Sequence, residues 1–218
     1  MGNLLGHYLL KGVITCKTGL RIGGSRETME IGGTDNPIIR HPITDVPYLP
    51  GSSLKGKVRS LLEQKHRPEV MRTGKPCECG ACKVCIVFGC AKSWNTKTVT
   101  RAIFRDCSLT KESLEILERE RKEKGLFYAE SKAEVSIDRK TGMAGGGGPR
   151  WQERVPEGTE FDVEIVLRYF DGDNIEDHIN FIKEGITFLQ NDTLGGSGTR
   201  GYGKVSIQLQ EPIFVKDC

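Results

Sequence analysis

The densest chemical signal in the chain is Cys77-Glu78-Cys79-Gly80-Ala81-Cys82-Lys83-Val84-Cys85, with His66 upstream and Cys90 just downstream. Four thiols this close suit a tetrahedral structural zinc, and Gly80 lets the backbone turn sharply between ligands. An iron–sulfur cluster and unliganded thiols are the competing readings. Which four residues ligate stays open among His66, Cys77, Cys79, Cys82 and Cys85, because the CxC and CxxC pairs strain one another and His66 could replace Cys77. A closed set of four leaves no coordination position for substrate, so such a site holds an insertion together rather than catalysing.

Two further segments suit polyanion binding. Pro50-Gly51-Ser52-Ser53-Leu54-Lys55-Gly56-Lys57-Val58-Arg59 opens a helix, where unpaired amides and a partial positive charge can cradle phosphate, with donors added by Ser52, Ser53, Lys55 and Arg59. The plain alternative is a capped helix with a solvated basic face. Gly56, unfavourable inside a helix, often marks a close backbone approach. The second segment, Thr193 to Lys204, carries five glycines between Gly195 and Gly203 together with Ser197, Arg200 and Lys204. It is expected to be a flexible loop whose amides approach a polyanion, with Tyr202 offering a stacking plane. It lacks the spacing of a Walker loop. Asp35, between turn residues in Gly32-Gly33-Thr34-Asp35-Asn36-Pro37, is on local grounds an ordinary turn-capping acid.

These residues need elements to hold them. Tyr8 to Thr15 alternates as a first strand. Leu54, Val58, Leu61 and Leu62 recur at helical spacing behind a Pro-Gly-Ser-Ser start. Thr98 to Leu109 reads as a strand, Lys111 to Lys124 as a charged helix, and Leu126 to Ile137 as a strand. Asp138 to Pro149 contains a glycine tract and cannot pack. Arg150 to Pro156 and Thr159 to Phe170 resume strand alternation, which suggests a hairpin with a mobile tip. Ile175, Ile179, Ile182, Ile186 and Leu189 form one face of a second helix, and Gly201 to Leu209 closes as a strand. The core order is βαββαβ, so the expected class is α+β with a ferredoxin-like sheet of four strands and two helices on one face. Cys16 and Cys107 fall in strands and are expected in the core.

Composition bounds the rest. Across 218 residues the net charge is only +3, yet residues 1 to 60 hold eight Lys and Arg against four acids, and the second helix region is acidic. That asymmetry fits one face turned to a nucleic-acid backbone. No apolar stretch is long enough to span a membrane, and a cytoplasmic protein with reduced thiols is expected. Glycine, 27 residues, is in excess but clusters at the segments just described.

From Ile31 to Glu63 the sequence IGGTDNPIIRHPITDVPYLPGSSLKGKVRSLLE resembles the backbone-subunit family of type III-A CRISPR effectors, the third Csm subunit within the RAMP superfamily. The Cys cluster ending in CIVFG and the LGGSGTRGYGKV run follow in the family's order. The resemblance implies an RRM-related core, a zinc-bearing lid over residues 66–97 and a thumb hairpin over residues 126–156. It implies stacking of copies along a CRISPR RNA beside other Csm subunits, and a thumb that interrupts the guide–target duplex at six-nucleotide steps. In that family a loop acid cleaves target RNA with Mg²⁺, which the GGTDNP motif puts at Asp35. One acid cannot form a two-metal site, so it would position or deprotonate the 2′-hydroxyl or hold one hydrated Mg²⁺. The resemblance assigns guide binding to Arg21, Ser52, Ser53, Lys55, Arg59 and to Gly196, Ser197, Gly198, Arg200, Gly201 and Gly203. Met143, at the thumb tip, could wedge between bases. A structural subunit without nuclease activity is the alternative. A metal-independent processing RNase acting through His and Tyr is disfavoured, since only four His occur and none but His7, next to Tyr8, lies beside a Tyr in a Gly loop.

Overall fold

The computed structural model describes residues 2–24, 36–90, 92, 99–145 and 147–216. Strand β1 (Leu4–Cys16) is the long central element, and its alternation sends Leu10, Ile14 and Cys16 into the core, all fully buried. It pairs antiparallel with β5 (Glu160–Phe170), setting Leu10 opposite Ile165 and Ile14 opposite Phe161. On its other side, β6 (Val205–Leu209) pairs with Gly12 to Cys16. A side chain at Gly12 would collide with the backbone of Gln208, which explains a glycine in the middle of this strand. With β2 (Ala102–Phe104) on the outer edge of β5, the strand order is β2-β5-β1-β6, every neighbour antiparallel.

Helix α1 (Gly51–His66) and helix α5 (Ile175–Asn191) pack against each other and the sheet through the stripes anticipated above. Leu54, Val58, Leu62, Ile179, Ile182, Ile186 and Leu189 are buried. The helices cross at Gly185, where a Cβ would lie 2.6 Å from Val58 Cγ1 and 2.8 Å from Leu62 Cδ1. Only a residue without a side chain permits that approach. Cys16 and Cys107 are core residues, and burial pushes both thiols up to about 12.

Between α1 and β2 lie two short helices, α2 (Val70–Thr73) and α3 (Lys83–Phe88), which frame the cysteines. Helix α4 (Lys111–Lys124) spans the expected residues because both ends are coded locally. Thr110 accepts from Ser113 N–H at its start, and Gly125 takes a left-handed φ of 68° at its end. Strands β3 (Glu130–Glu134) and β4 (Arg150–Arg154) pair with each other in a two-stranded ribbon that carries the glycine tract, and β4 also meets Asn36 at the isolated bridge Asn36↔Gln152.

Three expectations change. Of the strand expected over Thr98–Leu109, the described residues form only Ala102–Phe104; beyond it the chain is joined by Arg105 N–H to Glu164 O (3.1 Å), Asp162 N–H to Ser108 O (2.8 Å) and the isolated bridges Leu49↔Cys107 and Leu109↔Phe161. Just past this strand, Asp106 accepts from Gly51 N–H (2.7 Å) at the head of α1. The tract after β3 is partly ordered, since Asp138 Oδ1 accepts from the N–H groups of Lys140 (2.9 Å) and Thr141 (2.8 Å). A further strand, β7 (Ile213–Val215), pairs with His7 to Leu9 and had no clear alternation to announce it.

Candidate nucleic-acid interface and metal centre

The Sγ atoms of Cys77, Cys79, Cys82 and Cys85 all lie within 4.8 Å of one another. Tetrahedral Zn–S bonds of about 2.3 Å require sulfurs about 3.8 Å apart. The separations Cys77–Cys82 (3.8 Å) and Cys79–Cys85 (4.0 Å) fit that requirement. Gly80, at φ 71°, makes the turn the spacing demanded. Amides point at the sulfurs, Cys82 N–H to Cys79 Sγ (3.3 Å) and Cys85 N–H to Cys82 Sγ (3.5 Å). Although burial opposes ionisation of Cys79, the Ala81 and Cys82 N–H groups outweigh it and hold its thiol at about 6, so a thiolate is ready for a cation. Burial raises Cys77 and Cys85. His66 stands apart from this group, its Nε2 paired with the Glu184 carboxylate at 3.0 Å.

The cysteine cluster is tied to α1 by a residue that the sequence did not single out as functional. Glu63, only 4% exposed, accepts from Cys77 N–H (3.0 Å) and from Arg59 Nε (2.9 Å) through one oxygen. Arg59 donates onward to Cys77 O (2.9 Å). Arg59 is thus engaged within the chain, and the i,i+4 spacing of Arg59 and Glu63 was the available clue.

At the head of α1, Ser52 is exposed and Ser53 and Lys55 are half-buried. Pro50 provides no side-chain cap, and Asp106 takes one of the amides. Lys55 is held below its usual value by burial, then by the charges of Arg59 and Arg168. Gly56 faces open space: a Cβ there would meet nothing within 4 Å, so its small size serves no contact within the described chain.

The glycine loop adopts a defined conformation tied to its neighbours by backbone hydrogen bonds. Gly195, Gly201 and Gly203 adopt φ of 78°, 86° and 71°, and Ser197 joins them at 64°. A Cβ at Gly203 would overlap Leu194 O, and one at Gly195 would overlap Arg21 O. Gly196 N–H donates to Arg21 O (2.8 Å), and Gly203 N–H to Gly19 O (3.0 Å). Gly198 to Arg200 form a single 3-10 turn. Arg200 Nε lies 3.2 Å from Glu134 Oε2 on the ribbon. The stacking role expected for Tyr202 is overturned. Its ring is fully buried, beneath Lys132 Nζ at 4.6 Å and Arg154 at 5.1 Å, because it anchors the loop between two glycines. On the ribbon itself, Trp151 of β4 is 49% exposed. Arg21 reaches Asn36, Nη2 donating to Oδ1 at 3.2 Å, so the structure brings Arg21 to the glycine loop as well as to the residue after Asp35. Asp35 and Gly32-Gly33 lie outside the described residues. Met143 is 67% exposed at the ribbon tip.

Residues 13–206 match the family model described as the RAMP superfamily. The chain belongs to the RAMP superfamily. A relative from Methanothermobacter thermautotrophicus named "CRISPR system Cms endoribonuclease Csm3" is 45% identical over 214 residues, spanning 93% of this chain and 84% of the relative. A Streptococcus thermophilus protein of the same name is 38% identical over 206 residues, 93% of this chain and 87% of its own. Among solved structures, the Csm3–Csm4 subcomplex of the type III-A CRISPR-Cas interference complex matches at 30% identity and a TM-score of 0.61, covering 94% of this RAMP chain and 77% of that one. The Methanopyrus kandleri Csm3 crystal structure, 24% identical, shares the fold at a TM-score of 0.63 over 97% of this chain and 78% of its own. Among the described residues, no helix of this RAMP protein is long and apolar enough to cross a membrane.

Proposed function

We propose that the chain is the guide-RNA-binding backbone subunit of a type III-A Csm complex and an endoribonuclease that cuts complementary target RNA. The observation that carries this reading is identity of 45% across 93% of the chain to a protein named as a Csm3 endoribonuclease. The strand order β2-β5-β1-β6 with α1 and α5 packed together supports a ferredoxin-like core. One RAMP domain, residues 1–218, then bears a lid over 66–97 and a thumb over 126–156.

In this reading copies stack along the CRISPR RNA in the cytoplasm beside other Csm subunits, and each cuts once per six-nucleotide step. The head of α1, with Ser52, Ser53 and Lys55, and the loop Gly196 to Gly203 hold the guide backbone, with Arg21 and Arg200 adding charge. Sequence specificity is left to base pairing, while the protein meets phosphates. Asp35 is the cleaving acid and works with Mg²⁺, which would supply charge stabilisation at the scissile phosphate. Zinc, held by Cys77, Cys79, Cys82 and Cys85, is structural, and the sulfur spacing supports that choice.

The test is purified effector complex incubated with complementary RNA. A product ladder at six-nucleotide spacing with Mg²⁺, abolished by EDTA and by Asp35→Ala while RNA binding persists, is expected. Intact target under the same conditions would instead favour a purely structural subunit.

A further inference from the structure

Asp35 belongs to a stretch, residues 25–35, that leaves and rejoins the described chain through a short antiparallel neck. Gly23 bridges Ile38, Ile39 N–H donates to Ile22 O (2.8 Å), and Gly24 N–H donates to Pro37 O (3.1 Å). A single acid on the thumb ribbon grips the rejoining side of this neck. Glu153 Oε2 accepts from Ile38 N–H (3.1 Å), and the same carboxylate pairs with Arg40 Nη2 (3.4 Å). The backbone N–H of Glu153 donates to Asn36 O (3.3 Å).

Both partners are largely shielded, the Arg40 and Glu153 side chains being 14% and 17% exposed. Arg40 is itself fixed by Nη1, which donates to Phe127 O (2.6 Å) at the ribbon's base. From the opposite side Arg21 holds Asn36 through its side chain and the glycine loop through its carbonyl. The neck is therefore tied to the thumb by Glu153 and to the glycine loop by Arg21. A carboxylate this shielded is costly to desolvate, and among the described residues its hydrogen bonds and ion pair run to Ile38 and Arg40 of the neck.

We propose that Glu153 is a positioning residue for RNA cleavage, fixing the register between the thumb and the neck of the Asp35 stretch. This rests on the reading of Asp35 as the cleaving acid. Glu153 touches no reacting atom; it acts by holding Ile38 and Arg40. Displacements of about 1 Å in a reacting group cost on the order of 100-fold in rate, so loosening the neck should slow the chemical step while guide and target contacts elsewhere persist.

The test compares Glu153→Ala, Glu153→Gln, Asp35→Ala and the parent, each assembled in the full effector with guide RNA. Target affinity and single-turnover cleavage at saturating Mg²⁺ are measured separately. Glu153→Ala should cut roughly 10- to 100-fold more slowly with target affinity within about twofold of the parent. Glu153→Gln keeps an acceptor for Ile38 N–H but loses the ion pair to Arg40, so its rate should fall between. Parental cleavage rates in the Glu153 variants overturn the proposal, as does a loss of cleavage matched by an equal loss of target binding or assembly. If Glu153→Ala does not assemble, Glu153→Gln decides by the same criteria. Active Asp35→Ala would refute the reading of Asp35 and the proposal with it. An inert Asp35→Ala beside unimpaired Glu153 variants would overturn the proposal alone.

Discussion

Replacing Glu63 by Ala probes whether α1 and the cysteine loop form one unit. The substitution removes the acceptor of Cys77 N–H and of Arg59 Nε, both within 3.0 Å, at a side chain 6% exposed. A buried donor left without a partner costs about 1–3 kcal/mol, and breaking a buried ion pair from one side costs about 3–5 kcal/mol. The two figures describe the same loss, so about 3–5 kcal/mol is expected, a large share of a total stability of about 5–15 kcal/mol. For a chain of this size each kcal/mol moves the midpoint by roughly 2–4 °C, giving a fall of roughly 6–20 °C. Glu63→Gln retains an oxygen for Cys77 N–H and should lose about 1–2 kcal/mol, the added strength of a charged hydrogen bond. Thermal unfolding of the zinc-loaded protein, with metal release to a chelator followed in parallel, reads both quantities. A Glu63→Ala midpoint within about 2 °C of the parent, with unchanged metal release, would refute the idea that this carboxylate couples helix and metal loop.

Gly185→Val should place methyl groups against Val58 and Leu62 and destabilise by about 1–3 kcal/mol through overpacking, measured by urea unfolding. Stripping zinc should loosen the insertion, seen as faster amide exchange over residues 66–90 with the sheet core unaffected; elemental analysis showing no stoichiometric metal in fresh protein would contradict the centre. His178 and Asp173 give stability a pH dependence. Burial chiefly lowers His178 below 6.5, so the unfolded chain binds that proton more readily and stability declines as pH falls through that value. For Asp173, burial is outweighed by the Arg101 hydrogen bond and the Phe170 N–H, which hold it below 3.8, so its contribution disappears only in stronger acid. His178→Gln should flatten the first decline in denaturation curves between pH 7 and 5 and leave the second.

The parts of the fold that were legible are those coded over a few residues. The stripes of α1 and α5, the caps of α4 and the alternation of β1 depend on local spacing, and the strand order follows once those elements must share one core. The cysteine centre was legible in the same way, since four thiols within nine residues can hardly avoid one another. What sequence could not supply is pairing across distance. Nothing near Asp106 announces that it will cap a helix begun at Gly51, and nothing near Glu153 announces Arg40. Tyr202 was misjudged for a related reason. A tyrosine between glycines looks exposed, yet the left-handed glycines on either side are what allow the loop to fold over its ring.

Charge pairing also refines how this surface would meet RNA. Arg59 is engaged by Glu63 and Cys77, Lys57 by Asp192, and Arg200 by Glu134, so several cations that suggested a polyanion are already matched within the chain. Lys55 differs. It is half-buried, and its charged form is disfavoured by burial and by two like charges, Arg59 and Arg168. A phosphate brought to the head of α1 would relieve that repulsion, so Lys55 gains from the ligand what a solvated lysine would not. The exposed Gly56 one residue on leaves the helix surface open there, at a cost of about 1 kcal/mol against Ala. Under the proposed reading, Lys55, without an ion-pair partner among the described residues, and the open surface at Gly56 would together let a guide backbone come close, a stronger reason to look for the guide there than the number of basic residues.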